Sequence, residues 1–271
     1  MIHPRAHPSE VFIEGKRLET LSYPAQPGKV TIVMLHEGLG SIAMWKRFPS
    51  QLADLTGCGI LLYSRYGYGK SDRLQEKRPA NYLHHEATVV LPALLKKFEL
   101  SAPILFGHSD GASISLLYAG SFPGSPRALI LEAPHVFVED VTLAGIERTK
   151  AEYETGNLRL RLARYHQHVD EAFWGWCDIW LDPAFRNWNI EGELVDVRCP
   201  VLLLQGEDDE YATVAQVNAI KTAIPGTEVA MLAGCRHSPH VEQTDVVLGR
   251  VTEFLQTLDN RPEQTHSLLA E

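Results

Sequence analysis

Residues 104–120 read ILFGHSDGASISLLYAG. An apolar run breaks at Gly107, a polar triplet His108-Ser109-Asp110 follows, and after Gly111 a run of small and apolar residues resumes. A serine presented this way suits nucleophilic chemistry. Its hydroxyl is a weak nucleophile, so it needs a base to take its proton and a carboxylate to orient the base. Both types occur further on. The stretch LLLQGEDDEY ends an apolar run with Glu207, Asp208, Asp209 and Glu210, and AGCRHSPH supplies His237. Serine, then acid, then histidine is an order in which such groups meet at one end of a parallel sheet. The structural alternative is a tight turn capped by a serine. The acid and base that follow in order weigh against it.

The motif has meaning only between a strand and a helix, and the surrounding pattern supplies both. Apolar runs of strand length lie at 29–36, 59–65, 102–108, 127–134, 200–207 and 228–234. Helical spacing alternates with them at 42–55 (interrupted by Pro49), 82–100 (kinked by Pro92), 111–122, 213–224 and 245–258. A hairpin is expected over 10–23 with its turn at Glu14-Gly15, and a frayed tail over 259–271. Strands that stay apolar on both faces, alternating with helices, predict a mostly parallel, doubly wound α/β sheet. Residues 135–199 break the rhythm. They hold no strand pattern and carry Trp174, Trp176, Trp180 and Trp188, four of the five tryptophans. The expected organisation is an α/β core made of 1–134 and 200–271, with a helical cap over 135–199.

The chain has 271 residues, 45% hydrophobic and 22% charged, which suits one large domain with an insertion. Its net charge of -9 argues against nucleic acid as a partner. The start, MIHPRAHPSEVF, has no apolar signal core, and no run approaches the ~18 residues of a membrane span. Cys58, Cys177, Cys199 and Cys235 form no C-x-x-C pair and are expected to be reduced. These features lead us to expect a cytoplasmic protein whose partner is a small molecule, with neither nucleic acid nor membrane; a homodimer stays open.

Four motifs resemble those of the α/β-hydrolase family: LHEGLGS (35–41), YSRYGYGKSD (63–72), GHSDG (107–111), and GEDD followed by GCRH. The resemblance spans roughly 29–258. It implies Ser109 as nucleophile, His237 as general base and then acid, and Asp209, third after Gly206, as the orienting acid in preference to Asp208. It implies an oxyanion hole from the N–H groups of Asp110 and Gly38, with His36 bracing that loop. Glu37 stands where many relatives have glycine; it either bonds the loop itself or meets a polar substrate. Tyr66 replaces another frequent glycine, and Arg65 before it reads as structural. His108 should point beneath the nucleophile. His135 is read as either a substrate contact or a structural group, and His240 as a site or capping residue. His84, His85, His166 and His168 are read as solvated helix faces. Trp174 and Trp176 are expected to roof the substrate pocket. No histidine set has metal spacing, so neither metal nor cofactor is expected. The implied activity is hydrolysis of a small carboxylic ester through an acyl-enzyme. Lactone and carbon–carbon bond hydrolysis are rivals with the same triad, and a small-ligand receptor on the same fold is the rival of another class.

Overall fold

A computed structural model of the chain describes residues 6–259. β1 (His7–Ile13) and β2 (Lys16–Tyr23) form the expected hairpin. Glu14 and Gly15 between them both have positive φ, 49° and 74°, as a two-residue turn matched to the strand twist requires. β3 (Thr31–Leu35), β4 (Gly59–Tyr63), β5 (Ile104–His108), β6 (Ala128–Glu132), β7 (Val201–Gly206) and β8 (Glu228–Leu232) complete one sheet of order β1-β2-β4-β3-β5-β6-β7-β8. β2 runs antiparallel to both neighbours, and β4 through β8 are parallel.

Alternate residues of each parallel strand feed two separate cores, because side chains on a strand point to opposite faces in turn. Val33, Leu61, Leu105, Leu129 and Leu203 face one side; Ile32, Ile60, Phe106, Ile130 and Leu202 face the other. Helices cover both. In chain order they are α1 (Phe48–Thr56), α2 (Tyr82–His85), α3 (Leu91–Lys97), α4 (Asp110–Ser121), α5 (Asp140–Thr155), α6 (Leu158–Leu162), α7 (Val169–Trp180), α8 (Val214–Ala223), α9 (Pro239–Glu242) and α10 (Thr244–Asp259). Phe48 and Leu52 of α1 pack with Val247, Val251 and Phe254 of α10 on the second face. Helices α2, α3, α4 and α8 pack on the first. The mostly parallel, doubly wound sheet expected from the sequence is present.

Two helices differ in detail from the expectation. Pro49 does not interrupt a helix over 42–55. Ile42–Trp45 forms a separate 3-10 turn, and Pro49 lies in the first turn of α1, where a missing N–H costs nothing. Helical spacing over 42–55 puts Leu55 on one side with Ile42, Trp45 and Leu52, yet Leu55 is 56% exposed. The kink expected at Pro92 takes the form of a π-helical stretch, Glu86–Val90, joining α2 to α3. The wider turn absorbs the donor that proline lacks. Of the expected frayed tail, Asp259 ends α10 and the rest lies outside the described residues.

Between β6 and β7 the chain forms α5, α6 and α7, and its only β feature among the described residues is a single bridge, Phe137 to Asn189. Aromatic stacking organises this segment: Tyr153 on Phe173 at 3.6 Å, and Phe185 on Trp188 at 5.4 Å. Among the described residues no helix is long and apolar enough to cross a membrane.

Candidate active site

A cavity of about 340 Å³ lies where the carboxyl ends of the parallel strands meet α5, α6 and α7. Strand β5 ends at His108 and α4 begins at Asp110, so Ser109 makes the whole turn. Its backbone sits at φ 52°, ψ -115°. A residue with a side chain in that region carries about 1–3 kcal/mol of strain and stays there only if its surroundings fix it. Here they do. Ser109 N–H donates to Glu132 O on β6 at 2.9 Å, and Ser109 O accepts from Ala112 N and Ser113 N at 2.9 and 3.0 Å. The glycines on either side are required by contact. A Cβ on Gly107 would lie 2.3 Å from Gly111 O, and one on Gly111 would lie 2.1 Å from Leu35 O.

His237, after β8, turns Nδ1 to both oxygens of Asp209 at 2.9 Å. Gln205 Nε2 and Tyr211 N–H also donate to that carboxylate, at 2.7 and 2.8 Å. Burial alone would raise the Asp209 pKa; the adjacent His237 ring and the Tyr211 N–H overcome this and lower it to about 2. Asp209 is therefore ionised across the neutral range and fixes the His237 tautomer with Nε2 left for the cavity. Asp208 is exposed, with its N–H on Cys235 O at 2.9 Å. Ser109 and His237 both line the cavity, and no hydrogen bond joins them among the described residues.

Gly38 and Asp110 line the same cavity, and neither backbone N–H has a partner among the described residues. Two free donors beside a cavity-lining serine, one of them at the positive end of α4, suit an anion that forms during reaction. Buried Arg65 ties the two together. Its guanidinium donates to Asp110 Oδ2 at 3.2 Å and to the carbonyls of His36 and Glu37 at 3.4 and 2.9 Å. Tyr82 Oη donates to the same Asp110 oxygen at 2.9 Å and accepts from Trp180 Nε1 at 3.0 Å. His36 accepts from Arg65 N–H at Nε2 and donates from Nδ1 to Glu37 O. Burial, with Arg65 alongside, drives the His36 pKa well below normal, consistent with that neutral form.

Glu37 turns its carboxylate over Gly40 and toward His108 Nδ1, 3.5 Å away, while its side chain also lines the cavity. His108 donates from Nε2 to His237 O at 2.7 Å. Burial alone would lower the His108 pKa, but Glu37 reverses the effect and raises it to about 9. The pair is an imidazolium and a partly exposed carboxylate, set beneath the base. His240 does not reach the cavity; its Nδ1 donates to buried Glu132 at 2.7 Å. His108, Glu132 and His240 offer ligand atoms within 4.8 Å of one another, the one metal-compatible cluster among the described residues. His240 Nδ1 is bonded to Glu132 Oε2 and His108 Nε2 to the His237 carbonyl, while Glu132 Oε1 has no hydrogen-bond partner among the described residues.

His135 lines the cavity 5.7 Å from the His237 ring, and burial lowers its pKa to about 4, so it is neutral. Of the two tryptophans expected to roof the pocket, Trp176 does and Trp174 does not. Trp174 packs outward on Tyr153 and Phe173. Residues four apart share a helix face, so Trp180 lines the cavity with Trp176. The Trp176 indole also covers Gly38: a Cβ there would lie 2.3 Å from Nε1. His166 is a second correction. It is 4% exposed, not on a solvated face. Its Nδ1 accepts from Gly69 N–H at 3.0 Å and its Nε2 donates to Leu39 O at 2.9 Å, joining the α6–α7 connection to the Gly38 loop. Glu210 and Tyr211 also line the cavity. Both stand beside Asp209 in the sequence; Glu210 is one of the four acids that end that run, but nothing in the pattern assigned either residue a place in the cavity.

The sheet, the strained serine turn and the carboxylate–imidazole pair together define a hydrolase scaffold. Residues 32–250 match the model of the alpha/beta hydrolase family, and the chain belongs to that family. It is 23% identical to the proline iminopeptidase of Lactobacillus helveticus, over 85% of this chain and 91% of that protein. Solved structures with the same fold include a bacterial membrane phospholipase A (TM-score 0.79, 18% identity, 95% of this chain and 88% of that one). Another is the enol-lactonase of Burkholderia xenovorans LB400 (TM-score 0.73, 19% identity, 92% of this chain and all of that one).

Proposed function

We propose that the protein is a serine hydrolase of small carboxylic esters, with Ser109 as nucleophile, His237 as base and Asp209 as its orienting acid. The observation that carries this reading is the His237 imidazole held at 2.9 Å by Asp209 in the same cavity as the strained Ser109 turn. Ser109 Oγ attacks the ester carbonyl carbon as its proton passes to His237 Nε2. The carbonyl electron pair moves onto oxygen, which takes the Gly38 and Asp110 N–H bonds. The C–O bond then breaks, and the His237 proton leaves with the alcohol. Water repeats the sequence on the acyl-enzyme, restoring Ser109 and releasing the acid. On this proposal α5, α6 and α7 form a cap that bounds the substrate, because Trp176, Trp180, Ile146 and Leu162 close the cavity from that side.

The test is hydrolysis of p-nitrophenyl esters of increasing acyl length by wild type and Ser109→Ala. Turnover that peaks at short chains and is lost in Ser109→Ala is expected; equal turnover by both proteins would overturn the reading. A second reading, cleavage of an amide beside a free amine, is favoured by the similarity to a proline iminopeptidase over most of both chains. Turnover of aminoacyl p-nitroanilides faster than of the esters would select it.

A further inference from the structure

Charge in the cavity is unevenly distributed, and its balance bears on which substrate enters. No lysine or arginine lines it. Its carboxylates are Glu37 and Glu210, with Asp209 just behind His237. Two of the three are engaged: Asp209 by hydrogen bonds from His237, Gln205 and Tyr211, and Glu37 by the His108 imidazolium, itself 1% exposed and bonded to the His237 carbonyl. His135 adds no charge, because burial keeps it neutral at physiological pH.

Glu210 is different. Its Oε2 accepts only the backbone N–H of His237, at 3.3 Å, and its Oε1 has no partner among the described residues. No cation makes an ion pair with its carboxylate among the described residues, and Arg236 acts on it only at longer range. Exposed Arg148 donates to the Glu210 backbone carbonyl at 3.3 Å, and exposed Arg236 pairs with Glu242 at 3.2 Å. A carboxylate beside the base, in a mostly apolar cavity and with no cation in ion-pair contact, acts at reduced dielectric, where one charge discriminates strongly.

Resting on the hydrolase reading above, we infer that Glu210 is a specificity residue. It admits substrates bearing an ammonium group and rejects those bearing a carboxylate. Glu37 and the His108 imidazolium that it holds charged add no net charge, so Glu210 sets the sign of the cavity.

Binding can be tested without turnover, because Trp176 and Trp180 line the cavity and report occupancy by fluorescence. The probes are phenethylamine, phenethyl alcohol and 3-phenylpropionate, each titrated into wild type, Glu210→Gln and Glu37→Gln. In wild type the amine should bind at least ~10-fold more tightly than the carboxylate, with the alcohol between them. Glu210→Gln keeps an acceptor for His237 N–H and should bring amine and carboxylate to within about 2-fold. Glu37→Gln removes the group that holds His108 charged, so the pair still adds no net charge and the preference for the amine should persist. Equal affinities in wild type, a preference for the carboxylate, failure of all three to bind at millimolar concentration, or a preference that survives Glu210→Gln would each overturn the assignment. Loss of ester turnover with the charge order intact would count against the ester reading alone.

Discussion

The two aspartates after β7 differ by one position and by almost every physical property. Asp209 carries four short contacts from His237, Gln205 and Tyr211, whereas the Asp208 side chain is exposed. Asp209→Asn should lower kcat by ~10³–10⁴, because an amide at that point favours the wrong imidazole tautomer. Asp208→Asn should change kcat by less than about 2-fold. Steady-state kinetics on the ester substrate separates them, and a larger loss in the Asp208 variant would contradict the geometry. The Glu37–His108 pair makes a second residue-level prediction. The His108 pKa rises from 6.5 to about 9 on folding, so its contribution to stability is complete below the unfolded value and is lost as pH rises through 9. Glu37 is held below its usual 4.5, so its contribution is lost on acidification. The Tm difference between wild type and His108→Asn should therefore be greatest near pH ~5.5 and shrink near pH ~9.5. Thermal unfolding at both values checks this, and a pH-independent difference would show that the pair is not charged.

At the scale of elements, the site depends on how closely β5, α4 and the Gly38 loop approach one another. The Gly111 Cβ position lies against Leu35 O, a backbone atom that cannot swing aside. Gly111→Ala should destabilise the fold by more than ~2 kcal/mol or shift α4 away from β3; denaturant unfolding measures it, and an unchanged midpoint with full activity would refute the close approach. The His166 link is softer. It joins the connection before α7 to Leu39 and Gly69 through two hydrogen bonds, each worth ~1 kcal/mol. Its removal in His166→Ala should loosen the Gly38 loop more than it unfolds the protein. The expected outcome is a fall in kcat of ~10-fold with Tm lowered by a few degrees. An unchanged kcat would leave His166 a packing residue only.

For the molecule as a whole, two cores on either side of one sheet hold the strand ends that carry Ser109, Asp209 and His237. No disulfide contributes to this: all four cysteines are free, and burial pushes the thiols of Cys177 and Cys199 up to about 12. A reductant should leave Tm unchanged. His240 and Glu132 share a hydrogen bond and His108 bonds the His237 carbonyl, and the proposed mechanism uses none of the three as a metal ligand, so dialysis against EDTA should leave ester turnover intact. Loss of activity restored by a divalent cation would instead assign that cluster a metal.

Local sequence determined much of this protein. Strand runs apolar on both faces, the glycines around Ser109 and the left-handed Glu14-Gly15 turn are written in short windows, because each reports a nearby steric or burial requirement. The same holds for the order of serine, acid and histidine. Pro49 and Pro92 were legible as special positions, but their effect was not; whether a proline interrupts, begins or widens a helix depends on which carbonyl precedes it in space. Tertiary structure alone decided the partners. Trp174 and Trp176 look alike in sequence, and helical rotation turned one out and one in. His166 has no local signal; its role arises where α6 passes the Gly38 loop, 127 positions away from Leu39 in the chain. Arg65 with Asp110, His108 with Glu37 and Glu132 with His240 are buried charged or polar groups brought together across strands. Their pairing follows from the sheet order, because a buried charge needs a partner that only the folded chain can bring near.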